Sequence, residues 1–256
     1  MKPALLAFGP LLVAGLAGRR PAAPPPPPPA AVPVVVELFT SEGCSSCPAA
    51  DEVARTLEAT QPVPGAEVIV LGEHVDYWNR LGWKDPFSAA AFSERQRQYA
   101  GVFPEGSYTP QAVVNGRYEL VGSRRAELSQ RIAEAARAPR AAVALSRPTA
   151  TTLAVRVGSL PPGTPATEVL LTLTETGLAT QVGRGENAGR LLHHAAVVRA
   201  LRPLGAVGAD GTFAATVPLT LATGWQPAHL RAVVLVQERV SRRIVGVGTL
   251  PLALAN

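Results

Sequence analysis

Apolar and polar positions change rhythm several times along this 256-residue chain, and each rhythm predicts an element. Residues 32–39 form a near-continuous β-branched run, the pattern of a strand covered on both faces in a parallel or mixed sheet. Glu37 interrupts it, either as a strand-end carboxylate facing water or as a buried acid that accepts protons from the cysteines that follow. Residues 48–59 switch to helical spacing, with Ala50, Val53, Ala54 and Leu57 on one face and Pro48 in the opening turn, where its missing N–H is not needed. The stretch Gln61-Pro62-Val63-Pro64-Gly65 stops that helix. Residues 67–75 supply a second strand, which makes a strand-helix-strand unit that is parallel and right-handed by topology. Residues 88–100 read as a second helix, with Ala91, Phe92, Arg95 and Tyr99 along one face. Two further β runs, 108–114 and 117–121, flank Asn115-Gly116, whose ease of adopting positive φ marks a type I′ hairpin turn. Residues 124–137 form a third helix, with Leu128, Ile132 and Ala135 inward.

From residue 141 the rhythm changes again. Short β runs at 153–157, 169–173, 213–219, 230–237 and 244–250, separated by Pro/Gly turns, argue for a small antiparallel sandwich. The earlier order of strand, helix, strand, helix, hairpin and helix is that of the thioredoxin core. The expected class is therefore α/β, a thioredoxin-like fold over 34–139 followed by an antiparallel β-rich, sandwich-like region over 140–256. Residues 1–18, with Lys2 ahead of an apolar segment, read as a secretory signal peptide, too short for the roughly 20 apolar residues of a membrane span. Residues 19–33, with six consecutive prolines from Pro24 to Pro29, read as an extended linker. Once the signal is removed, no stable membrane insertion is expected, and the compartment is periplasmic or secreted.

Charge alters this picture little. The formal net charge is +5, but Lys2 and Lys84 are the only lysines and the arginines are scattered. No basic face interleaved with aromatics appears, so nucleic acid is not an expected partner.

The candidate chemistry lies in Cys44-Ser45-Ser46-Cys47, which holds both cysteines of the chain. A C-x-x-C where a strand hands over to a helix is a redox signal. The first sulfur then sits by the helix N-terminus, whose partial positive charge favours thiolate. A static disulfide of this spacing closes a tiny loop and constrains little of the unfolded chain. A structural zinc site needs about four ligands, and there is no second Cys pair. Copper held by Cys44, Cys47 and His74 stays open as an alternative, although Met1 is the only methionine and no Met-rich loading surface exists. So does a partner-binding role with a disulfide that never turns over. The connection after the second strand, which carries His74, Asp76 and Trp78, belongs at the edge where the cysteine helix begins. Glu42, His74 and Asp76 are candidates for tuning the Cys44 pKa, and Trp78 for shielding the sulfurs. The alternative for this stretch is that Trp78 and Trp83 cap the core. Thr109-Pro110, just before the first hairpin strand, is placed for a cis peptide bond facing the thiols, where exposed backbone pairs with a bound peptide strand; a trans turn proline is the alternative. Residues 183–189 have the wrong glycine spacing for a dinucleotide fingerprint and are expected to fold as a loop over the redox site.

Residues 37–48, 74–78, 82–87 and 108–111, joined by Arg190-Leu191-Leu192-His193-His194, resemble a bacterial family of secreted thioredoxin-like proteins known only as a domain of unknown function. Glu73 departs from that family, which is more often hydrophobic there. The resemblance implies a thiol-disulfide role and supplies no substrate. The resulting expectation is an extracytoplasmic thiol-disulfide oxidoreductase. Cys44 and Cys47 are catalytic, Thr109, Pro110 and Trp78 line the substrate groove, no cofactor or metal is required, and the partners are protein or small-molecule thiols and disulfides.

Overall fold

The computed structural model describes residues 31–253; the signal peptide expected at 1–18 and nearly all of the linker expected at 19–33 lie outside the described residues. The first half runs β1 (Val32–Thr40), α1 (Cys47–Thr60), β2 (Ala66–His74), α2 (Ala90–Ala100), β3 (Gln111–Val114), β4 (Tyr118–Val121) and α3 (Arg125–Ala135). β1 pairs in parallel with β2 and antiparallel with β3, and β3 pairs antiparallel with β4. Period-2 alternation splits β1 between two cores. Val34, Val36 and Leu38 pack with Ala50, Val53, Ala54 and Leu57 of α1 and Leu128 and Ile132 of α3. On the opposite face Val35 meets Ile69, Leu71 and Phe92, and Phe39 meets Tyr99 of α2. α1 ends where Gln61 turns left-handed at φ 46°, and its side chain then ties to the backbone N–H and C=O of Val68.

The second half contributes β5 (Ala141–Thr149), β6 (Thr152–Val157), β7 (Thr167–Glu175), the ribbon of β8 (Ala179–Gln181) and β9 (Leu191–His193), β10 (Val197–Ala206), β11 (Phe213–Pro218), β12 (Leu230–Glu238) and β13 (Ile244–Pro251). Here the expected fold class is overturned. The chain does not form a thioredoxin-like α/β unit followed by a separate sandwich. It builds one mixed sheet of eleven strands, in the order β11-β6-β5-β13-β12-β7-β10-β2-β1-β3-β4, with three α-helices among the described residues.

The physical reason is the fate of the free edge of β2, which hydrophobic rhythm cannot report. β10 adds to that edge in parallel at Val197 and Gly72, and the Gly72 amide donates to the Ala196 carbonyl at 2.7 Å. A Cβ on Gly72 would sit 3.2 Å from that carbonyl oxygen, so a residue without a side chain permits the join. β10 was invisible to the rhythm because Arg199, Arg202 and Pro203 break its alternation and bulges at 198/200 and 203/205 shift its register against β7.

A second join lies at the β3–β4 turn. Asn115 and Gly116 both have positive φ, as a type I′ turn requires, and Asn115 exchanges backbone bonds with Val35 and Ile244. A Cβ on Gly116 would lie 1.9 Å from the Arg242 carbonyl oxygen, so the hairpin turn is pressed flat against the β12–β13 turn.

Candidate functional site

Cys44 and Cys47 form a disulfide at the start of α1. Cys47 opens the helix and Pro48 follows within the first turn. The peptide bond between Thr109 and Pro110 is cis, and the Thr109 hydroxyl lies 3.5 Å from Cys44 Sγ. Trp78 donates its indole N–H to that hydroxyl at 2.9 Å, and Ser46 Oγ is 3.4 Å from the same sulfur. Cys44, Cys47, Thr109, Pro110 and Trp78 therefore come together at one end of the sheet.

The residues expected to tune the thiols behave differently. Asp76 accepts from Ser93 Oγ at 2.5 Å and is held by α2. Glu42 accepts from the Trp83 indole N–H at 2.7 Å, and His74 Nδ1 lies 2.7 Å from Asp85 Oδ2. None of these three side chains bonds to a sulfur among the described residues. Glu37 neither faces water nor reaches the cysteines: it is fully buried and paired with Arg95 and Tyr99 under α2.

The disulfide is enclosed, with Cys44 at 1 % and Cys47 at 0 % exposure. Part of the cover comes from the loop between β8 and β9. Asn187, itself buried, donates from Nδ2 to the carbonyl oxygens of Glu42 and Cys44, both at 2.9 Å, and Glu186 accepts the Ser45 amide at 3.0 Å. A Cβ on Gly183 would sit 3.1 Å from the Trp83 ring, which places that indole directly beneath the loop.

Behind the cysteines lies a second polar cluster, in which Asp51 and His194 join His74 and Glu42; sequence reasoning named the last two but did not bring the four together. Asp51 follows Cys47 by four residues, one helical turn along the same face of α1, and accepts from Thr40 Oγ1 at 2.7 Å. Its carboxyl is pushed up by burial, against the opposing pull of His74, His194, Thr40 and the Ala195 amide. Burial alone would hold the His74 imidazole neutral, but the carboxylates of Asp85, Asp51 and Glu42 outweigh it and raise its pKa. Asp85 pays for its burial with that same imidazole and with the amides of Glu42 and Phe87, and its pKa falls. His194, delivered by the β9–β10 connection, brings Nε2 to 3.0 Å from Glu42 Oε1. The one local signal was a carboxylate on the otherwise apolar face Ala50, Val53, Ala54 and Leu57; nothing near Asp51 in sequence announces its histidines.

The family model described as Protein of unknown function (DUF1223) matches residues 35–237, most of the chain and every element of this site. The chain belongs to the DUF1223 family. Among solved structures, this DUF1223 protein is similar to a crystal structure of a protein from Agrobacterium tumefaciens. The two are 25 % identical with a TM-score of 0.69, and the match covers 88 % of this chain and 97 % of that one. It also shares its fold with HBP35 of Porphyromonas gingivalis, at 18 % identity and a TM-score of 0.62, over 87 % of this chain and 76 % of that one. No curated protein matches the DUF1223 chain.

Proposed function

We propose that this DUF1223 protein is an extracytoplasmic thiol-disulfide oxidoreductase acting on protein or small-molecule thiols and disulfides. The observation that carries this reading is the Cys44–Cys47 pair at the mouth of α1, with the Thr109 and Ser46 hydroxyls within 3.5 Å of Cys44 Sγ. Hydroxyl hydrogens and the helix N-terminus both favour the thiolate over the thiol at that sulfur.

In the reduced protein, the Cys44 thiolate attacks one sulfur of a substrate disulfide. A mixed disulfide forms and one substrate thiolate leaves. The Cys47 thiolate then attacks Cys44 Sγ, the second substrate thiolate departs and the Cys44–Cys47 disulfide closes. Two electrons pass from protein to substrate, and the same steps in reverse oxidise a dithiol. Trp78 acts through Thr109, whose hydroxyl it orients. The extracytoplasmic placement is supported by the N-terminal apolar segment and by an oxidised C-x-x-C pair. Among the described residues no helix is long and apolar enough to cross a membrane.

Copper held by Cys44, Cys47 and His74 gains nothing from this geometry, because His74 turns to Asp85 and groups with Asp51 and His194. The test is disulfide exchange with insulin as substrate. Cys44→Ser is expected to abolish it, and unchanged exchange in that variant would overturn the redox reading. A wild-type pair that substrate thiols cannot reduce would assign the cysteines to a static disulfide.

A further inference from the structure

Two of the eleven buried polar side-chain atoms without a hydrogen-bond partner among the described residues, Asp51 Oδ1 and His74 Nε2, lie in one place, beside the buried pair of His194 Nε2 and Glu42 Oε1 at 3.0 Å. Leaving even one such atom unmatched is costly in a protein interior. Asp51, His74 and His194 each present one donor atom within 4.8 Å of the other two, and all three are at most 5 % exposed.

The surroundings aim these atoms. His74 Nδ1 lies 2.7 Å from Asp85 Oδ2, and Nε2 has no hydrogen-bond partner among the described residues; in the tautomer whose Nδ1–H donates to Asp85, that Nε2 carries a free lone pair. Carboxylate to Nδ1 with Nε2 free is how proteins orient and strengthen an imidazole that ligates a metal. Asp85 is in turn fixed by the amides of Glu42 and Phe87, both at 2.9 Å. Thr40 occupies the other oxygen of Asp51 and so turns Oδ1 toward the histidines. The Phe87 ring stands edge-on to both imidazoles and narrows their freedom to rotate.

Three buried carboxyl groups, Glu42, Asp51 and Asp85, share this volume with the two imidazoles. A cavity of about 160 Å³, lined by Asp51, His74 and His194 together with Pro48, Glu52 and Arg55, lies against the cluster and offers an entry path.

We propose that Asp51, His74 and His194 hold a divalent transition-metal ion of the zinc class, with Asp85 positioning His74 and Glu42 beside His194. Two imidazoles and one carboxylate are a nitrogen–oxygen donor set suited to zinc and its neighbours, and three protein ligands leave a coordination position open. The site uses no sulfur, so it stands apart from the redox reading and each survives the failure of the other.

The test uses the full, untagged chain in its oxidised state, stripped with a chelator and titrated with Zn²⁺ against a competing chromogenic chelator. Saturable binding of one ion per chain is expected. The Cys44→Ser/Cys47→Ser variant is expected to bind equally well, as is His193→Ala, which alters the exposed neighbouring histidine. Asp85→Asn is expected to weaken binding about 10- to 100-fold, the usual effect of removing a ligand's carboxylate support, and Asp51→Asn and His194→Ala by at least as much. Co²⁺ bound in place of Zn²⁺ should show visible d–d bands without an intense thiolate charge-transfer band. Should the variants fold poorly, wild-type protein labelled with ¹⁵N-histidine decides the matter: Zn²⁺ should shift the His74 Nε2 signal. Absence of saturable binding, loss of binding in the cysteine variant, equal effects of His193→Ala and His194→Ala, or two doubly protonated rings unmoved by excess Zn²⁺ would each overturn the proposal.

Discussion

Glu37 and Glu73 reach Arg95 from neighbouring strands, Glu37 as a direct ion pair and Glu73 at 3.4 Å, and one guanidinium cannot balance both in a dry interior. Burial, with the adjacent Glu37, pushes the Glu73 carboxyl well above its ordinary value. A carboxyl whose folded pKa is raised adds stability that is fully present below its unfolded pKa and is lost as pH rises through the folded one. Glu73→Gln keeps the shape and removes the titration. The variant should therefore be more stable than wild type at pH 8, with the gain shrinking toward pH 4; urea unfolding at both values checks this, and a gain independent of pH would contradict it. At this scale part of the site was legible. Cys44 and Cys47 stand out by type and spacing, and Thr109-Pro110 by its place before the hairpin. Asp51 was readable only as an acid on an apolar helix face. His194 was not readable as its neighbour, because proximity across the sheet leaves no local trace.

Among the elements, the loop from β8 to β9 supplies part of the cover over the disulfide. Two of its bonds, from Asn187 Nδ2 to the carbonyls of Glu42 and Cys44, fasten it over a sulfur pair that is otherwise ready to react. Each bond contributes about 0.5–1.5 kcal/mol net. If the loop must lift before a reductant can enter, Asn187→Ala should speed reduction of the Cys44–Cys47 disulfide by dithiothreitol several-fold, up to about tenfold. Stopped-flow tryptophan fluorescence would follow it, and an unchanged rate would mean that the sulfurs are reached from another side. The helices and strands that carry the cysteines were legible because each owes its rhythm to its own residues: 48–59 against the observed Cys47–Thr60, and 32–39 against Val32–Thr40. β5 and β10 were not, since Pro148 in one and Arg199, Arg202 and Pro203 in the other blur the alternation that marks a strand.

For the molecule as a whole, strand pairing decided what rhythm could not. The expectation of two differently built halves failed because β2 is completed by β10 and the Asn115-Gly116 turn is clamped under the β12–β13 turn. Cutting the chain between residues 139 and 140 would break no strand, yet it would strip β2 of its partner and bare β10 along the same line. Each fragment would carry an unprotected edge ready to pair with any available strand. Expressed separately, residues 31–139 and 140–256 are expected to aggregate, and co-expressed they should recover one soluble complex. Size-exclusion chromatography of the single and paired fragments tests this, and two soluble, folded monomers would refute it.

Gly72 carries a consequence for how such a protein diversifies. Because the seam between the halves depends on an absent side chain, and because Asn187 crosses that seam to the Cys44 carbonyl and His194 crosses it to Glu42, neither half is free to be exchanged like a cassette. A recombination event that kept Cys44 and Cys47 but replaced the β-rich portion would discard both the cover and one wall of the chamber behind them. The two halves should therefore be inherited together.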